Sequence, residues 1–153
     1  MGATALLGCT GDSPPGDGLA EIEYVVDGDT VDIVIDGKTE RVRLIGIDTP
    51  ETKKPNSPIE CFGPEASAYT ESILPVGTKV RLERDVVGRD DYGRLLGYVY
   101  RAEDETFVNY EIIRQGYAQP LSIEPNSTYA ADFADAARSA ESDGLGIWSA
   151  CTG

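Results

Sequence analysis

Histidine is missing altogether from the 153 residues, which removes every mechanism that needs imidazole as base, acid or metal ligand. Cysteine is limited to Cys9, Cys61 and Cys151, so the nitrogen and sulfur donors that zinc prefers are also lacking. No apolar run approaches the roughly 18 residues needed to cross a bilayer, which excludes a multi-span membrane protein. No repeat of about 20–50 residues recurs, which excludes a solenoid. Positive charge is scarce: 13 basic residues face 27 acidic ones for a net charge of −14, and only Lys38, Lys53, Lys54 and Lys79 are lysines. A generic basic nucleic-acid binder is disfavoured by that balance. An acidic, lysine-poor surface is expected of a protein working in concentrated salt, with an ordinary acidic secreted domain as the alternative.

What is present supports one packed domain, since 41% of the residues are apolar and 26% charged. Residues 1–19 read as a leader and tether. Leu6-Leu7-Gly8-Cys9 resembles a lipobox, in which a signal is cut before a cysteine that then carries lipid, although only eight residues precede it. A Gly/Pro/Ser-rich stretch follows, suited to a flexible tether. The expectation is an extracellular or cell-surface lipoprotein whose contact with the membrane is a lipid at Cys9. In such an oxidising compartment Cys61 and Cys151 are expected to pair. The folded domain is placed at 20–150, with 151–153 as a tail.

Within the domain, Ile22, Tyr24 and Val26 alternate as a strand up to Asp27-Gly28-Asp29. Val31, Ile33 and Ile35 alternate next, and Asp36-Gly37 marks a hairpin. The return strand is read over 41–47, ending at Asp48-Thr49-Pro50. A loop over 52–59 leads to a helix opened by Gly63-Pro64, with Ala66, Tyr69 and Ile73 as its buried stripe. Strands are read at 78–86 and 94–101, and a short helix at 108–115 closed by Gly116. A last helix is capped by Asn126 or Ser127, with Tyr129, Phe133, Ala136, Ala137 and Ala140 on its buried side. Asn126-Ser127-Thr128 also matches a glycosylation acceptor, but capping is the preferred reading. Five short strands with an inserted helix fit a mainly β, α+β domain: an OB-type Greek-key barrel with about three helices.

Carboxylates gather at strand ends: Asp29 at the first turn, Asp48 and Glu51 around Thr49-Pro50. Hard oxygen donors of this kind suit Ca²⁺ or Mg²⁺. Arg43 leads into Asp48, and Arg94 follows Tyr92-Gly93. A planar guanidinium beside carboxylates and a divalent ion is what phosphoryl chemistry requires. One geometric demand follows. Arg43 and Asp48 are five residues apart, so strict alternation puts them on opposite faces. The strand must bend between them to bring both to one pocket, and Gly46 is the natural place.

These residues together resemble the staphylococcal nuclease (thermonuclease) family. The resemblance is carried by Val26-Asp27-Gly28-Asp29-Thr30-Val31, Arg43-Leu44-Ile45-Gly46-Ile47-Asp48-Thr49-Pro50-Glu51, Gly63-Pro64-Glu65-Ala66, Asp91-Tyr92-Gly93-Arg94, Arg114-Gln115-Gly116-Tyr117-Ala118 and Ile147-Trp148-Ser149. It implies a Ca²⁺-dependent phosphodiesterase acting on DNA and RNA and leaving 3′-phosphates. It further implies metal ligation by Asp29, Asp48 and the Thr49 carbonyl, and catalysis by Arg43, Glu51 and Arg94. Tyr92 matches a substrate-binding tyrosine. A monomer is expected. Two positions depart from the family pattern: Asp91 stands where a lysine is expected, and residues 119–124 lack the tyrosines that support a bound base. A non-catalytic OB-fold module binding nucleic acid or calcium is the rival reading.

Overall fold

A computed structural model describes residues 18–151 of the chain. The lipobox-like residues 6–9, the tether as far as residue 17, and Thr152 and Gly153 lie outside them. Seven strands and four helices follow in order: β1 (Leu19–Asp27), β2 (Thr30–Ile35), β3 (Lys38–Leu44), β4 (Gly46–Asp48), α1 (Gly63–Ile73), β5 (Lys79–Glu83), β6 (Leu95–Arg101), α2 (Val108–Arg114), β7 (Gln119–Leu121), α3 (Ala130–Ser142) and α4 (Ile147–Ala150).

Five of the strands close into a barrel in the order β1-β2-β3-β6-β5. β1–β2, β2–β3, β5–β6 and β1–β5 are antiparallel, while β3 and β6 run parallel. Closure leaves no long free edge, the usual way a small β domain protects its backbone. The inward residues are those of the alternating pattern: Ile22, Val31, Ile33, Val42, Leu44, Val80 and Val99 are all buried. Five strands and three substantial helices are the architecture expected of the sequence.

Helices seal the open ends. α1 lays Ala66 and Thr70 inward, and the Thr70 hydroxyl donates to the Gly28 carbonyl at 2.7 Å, fixing the helix to the β1–β2 turn. α3 buries Phe133, Ala136, Ala137 and Ala140 as its spacing predicts. Asn109, fully buried on α2, accepts from the Val99 N–H at 2.9 Å and donates to the Ile45 carbonyl at 2.9 Å, so it bridges β6 to the end of β3. α4 is held by the Ile147 N–H donating to the Gly116 carbonyl at 2.8 Å. Cys61 and Cys151 are joined, with Cα atoms 5.8 Å apart.

Three local readings are corrected. The strand read over 41–47 is two strands, interrupted at Ile45, because Gly46 adopts φ +83 and β4 turns away to pair with β7. The strand read over 78–86 stops at Glu83. Neither Asn126 nor Ser127 caps the last helix: Tyr129 is its N-cap residue, with no side-chain cap bond. The Asn126 amide is spent elsewhere, on the loop that carries Val87. With only 6% of its surface exposed, Asn126 is also a poor acceptor for a sugar.

Candidate active site

The β1–β2 turn supplies the first carboxylate. Asp29 is buried, and its Oδ1 accepts from the Thr30 hydroxyl at 3.1 Å while its Oδ2 accepts from the Thr49 N–H at 3.1 Å. The bend at Gly46 supplies the second. β3 ends with Arg43 pointing toward this turn, and the turned strand β4 brings Asp48 back beside it. Arg43 Nη2 lies 3.3 Å from Asp29 Oδ2 and 3.8 Å from Asp48 Oδ1. Its Nη1 donates to the Leu44 carbonyl. The bend required by the parity of positions 43 and 48 is therefore present, at the residue named for it. The ring of Phe133 packs directly over Gly46, where a Cβ would collide with it.

Electrostatics mark Asp48 as a carboxyl held away from its ordinary state. Crowding withdraws the Asp48 carboxyl from water even though its side chain is 61% exposed. That desolvation, followed by the Asp29 charge, raises its pKa above the ordinary carboxylate value, while Arg43 pulls it down. A cation at this point would relieve the same repulsion. The donors suit a hard divalent ion: two carboxylates next to the Thr49 main chain, with the Thr49 hydroxyl oxygen buried and without a hydrogen-bond partner. Among the described residues no group of three acidic or sulfur ligands converges. Water and a backbone carbonyl would have to complete the shell.

Glu51 follows on the same loop and is half-buried. Desolvation and then the nearby Asp27 carboxylate hold its carboxyl above the usual range, and the Lys53 N–H at 3.4 Å draws it the other way. Asp27 itself is buried and accepts from the Gly28 N–H at 2.8 Å and the Thr52 hydroxyl at 2.9 Å. It belongs to the Asp27-Gly28-Asp29-Thr30 run, whose acidic first position was not singled out as a site residue.

Arg43 also opens onto a groove of about 510 Å³ that contains Arg94 and Tyr92 on one wall and Leu121, Ile123 and Asn126 on the other. Arg94 does not pair with the carboxylates at Asp29 and Asp48. Its Nε donates to Asp90 Oδ2 at 2.7 Å, and its guanidinium sits 5.7 Å from the Tyr92 ring centroid. Tyr92 is 87% exposed at the groove mouth. Asn126 holds the two walls together, accepting from the Val87 N–H at 2.8 Å and donating to the Val87 carbonyl at 2.9 Å. Asp85 reinforces this, accepting from the Tyr98 hydroxyl at 2.6 Å and the Thr128 hydroxyl at 3.1 Å. The wall that lacks tyrosines is aliphatic, and the mouth carries Asp91 and Glu124. Asn126 as a groove residue and Asp85 as its support leave no local sequence signal, because Val87 and Thr128, their respective partners, are about 40 residues away in sequence.

Comparison with known proteins follows the same residues. Positions 41–150 match the family described as staphylococcal nuclease homologue. The chain is 43% identical over 127 residues to a thermonuclease of Staphylococcus intermedius, covering 83% of this chain and 74% of that protein. It is 40% identical over 125 residues to a thermonuclease of Staphylococcus hyicus, covering 82% and 72% respectively. It is also 40% identical over 130 residues to endonuclease YncB of Bacillus subtilis (strain 168), covering 84% of this chain and 60% of that protein.

Proposed function

We propose, since this chain belongs to the staphylococcal nuclease family and is a nuclease, that it is a Ca²⁺-dependent phosphodiesterase acting on DNA and RNA and leaving 3′-phosphates. The observation that carries the reading is Arg43 lying within 4 Å of both Asp29 and Asp48 at the end of a groove that also holds Arg94. In this reading a phosphate bound in the groove is held by Arg43 and Arg94 beside a cation site built from carboxylates.

Asp29, Asp48 and the Thr49 carbonyl are the residues that would hold Ca²⁺. When bound, it would supply local positive charge that polarises a phosphoryl oxygen. Arg43 and Arg94 hold the other non-bridging oxygens as negative charge accumulates, and planar N–H forks suit that task. Glu51 orients the attacking water and takes its proton, which its raised pKa favours. The new bond forms between the water oxygen and phosphorus, and the bond from phosphorus to the 5′ oxygen breaks. The 5′ oxygen takes a proton from solvent water as it leaves, Glu51 returns its own proton to solvent, and the phosphate remains on the 3′ side.

A charge of −14 opposes a polyanionic substrate at long range. In about 1 M salt the screening length falls to about 3 Å, so repulsion from the distant surface vanishes while contact-distance groups still act. This supports a nuclease working in concentrated salt; the resemblance of Leu6-Leu7-Gly8-Cys9 to a lipobox supports export and a tether to the cell surface through Cys9. The chain acts as a monomer in this reading.

The test is cleavage of denatured DNA across a salt series, with Ca²⁺ and with chelator, for the parent and Glu51→Gln. Ca²⁺-dependent cleavage that rises with salt, leaves 3′-phosphate ends and drops about 10²- to 10⁴-fold in the variant is expected. Cleavage that persists in chelator, or is indifferent to Glu51→Gln, would contradict the assignment.

A further inference from the structure

The loop that carries Glu51 is exposed along most of its length, from residue 53 to residue 61. Its two ends nevertheless meet. The Glu51 N–H donates to Glu60 Oε1 at 2.8 Å, and the Glu60 N–H donates to the Glu51 carbonyl at 2.9 Å. Glu60 thus brackets the Glu51 backbone on both sides. Gly63, the first residue of α1, lies against the same peptide, where a Cβ would stand 3.0 Å from the Glu51 carbonyl oxygen.

The residue after Glu60 is Cys61, and its bond to Cys151 carries this bracket across to the far end of the chain. Cys151 is a fixed point. It directly follows α4, whose Ile147 is buried and whose N–H is bonded to the Gly116 carbonyl. The disulfide, Glu60 and the segment Asp48-Thr49-Pro50 line one small cavity of about 190 Å³. The covalent bond therefore forms part of the wall of the space beside Asp48.

We propose that Glu60 and the Cys61–Cys151 disulfide are positioning residues for the reaction, clamping the backbone of Glu51 so that its carboxyl stays aimed at the attacking water. The inference rests on the phosphodiesterase reading and deepens it. An exposed loop samples more arrangements when its ends are untied, and a displacement of about 1 Å in a reacting group can lower a rate about 100-fold. Binding of substrate depends on the groove and its arginines, which the clamp does not touch. The clamp should therefore act on kcat and spare KM.

The experiment uses the full oxidised chain, Cys61→Ser/Cys151→Ser, Glu60→Ala, which removes the Oε1 acceptor, and Val80→Ala as a barrel-core variant weakened away from the loop. All are assayed on denatured DNA with Ca²⁺, well below their unfolding midpoints. Relative to the oxidised parent, loss of kcat by about 10- to 100-fold in the double serine and Glu60 variants, with KM within about twofold, is expected. Val80→Ala should keep its kcat. Dithiothreitol should bring the parent to the level of the double serine variant, reoxidation should restore it, and the double variant should ignore both treatments. Hydrogen exchange at the Glu51 N–H should speed up whenever the bond is open. Full kcat in the reduced parent, or unchanged exchange at Glu51 on reduction, overturns the clamp. An oxidised parent that cleaves nothing under any condition sinks the phosphodiesterase reading instead, and the exchange measurement still decides the clamp.

Discussion

Replacing Gly46 by alanine should damage both the fold and the site, by an amount that the structure separates into two parts. Gly46 has φ +83, and Gly37 in the β2–β3 turn has a nearly equal φ of +78. An alanine in that left-handed region costs about 1–2 kcal/mol at either position. It recovers about 0.4–1 kcal/mol by restricting the unfolded chain. The two positions differ only in their surroundings. Nothing lies within 4 Å of a Cβ at Gly37, whereas one at Gly46 runs into the Phe133 ring. Phe133 is 1% exposed at the centre of an aromatic cluster with Tyr98, Phe107 and Tyr129, so it cannot swing away freely. Overpacking adds about 1–3 kcal/mol. Gly37→Ala should therefore destabilise by about 1 kcal/mol or less and Gly46→Ala by about 2–4 kcal/mol, read as shifts of the urea midpoint at unchanged slope. Because β4 pivots at Gly46 to carry Asp48 to Arg43, only Gly46→Ala should also weaken Ca²⁺ binding by folded protein in calorimetry. Equal destabilisation by the two substitutions would refute the packing argument, and intact Ca²⁺ binding in folded Gly46→Ala would refute the pivot.

Three further outcomes follow from the groove and its supports. Asn126→Ala removes both partners of the Val87 N–H and carbonyl, and because Val87 is exposed enough for water to replace them in part it should cost about 1–2 kcal/mol in urea unfolding while raising KM, since both walls of the groove lose their tie. Desolvation alone would raise the Asp85 pKa, but the hydrogen bonds from Tyr98, Thr128 and the Val86 N–H hold it below the ordinary carboxylate value. Its stabilisation is thus complete above the ordinary value and lost as pH falls through the lowered folded one, so Asp85→Asn should flatten the acid limb of a stability-against-pH curve in thermal melts. Asp91→Lys replaces an acidic residue at the groove mouth with a cation and should tighten binding of a nucleoside 3′,5′-bisphosphate about 3- to 10-fold in low salt, an effect that added salt erases in titration calorimetry.

The barrel was legible because its strands obey a period of two and its turns use Asp-Gly signals that no other conformation explains. The bend at Gly46 was legible for a different reason: Arg43 and Asp48 could share a pocket only if alternation failed between them, and one glycine stood in that interval. β7 was not legible. Its three residues, Gln119, Pro120 and Leu121, are all exposed and show no alternation, and they pair only because β4 is diverted toward them. Asn126 looked like a helix cap because the local sequence offers that bond first. Tertiary approach of Val87 offered two stronger ones. Glu60 gave no local signal at all. Its role depends on a nine-residue return of the chain to Glu51, and loop closure of that kind leaves no periodicity to read.

The covalent link between Cys61 and Cys151, which are 90 positions apart, closes residues 61–151 into a ring. A protease that finds the exposed turn around Val86 or the exposed stretch near Ile123 cuts inside that ring. Both new ends then stay attached to one molecule: the piece with Asp29, Arg43 and Glu51 retains Cys61, and the piece ending α4 retains Cys151. A single nick that would divide an unlinked chain into separate fragments here only opens the ring. The two halves of the groove cannot diffuse apart, and a chain clipped once can keep its shape.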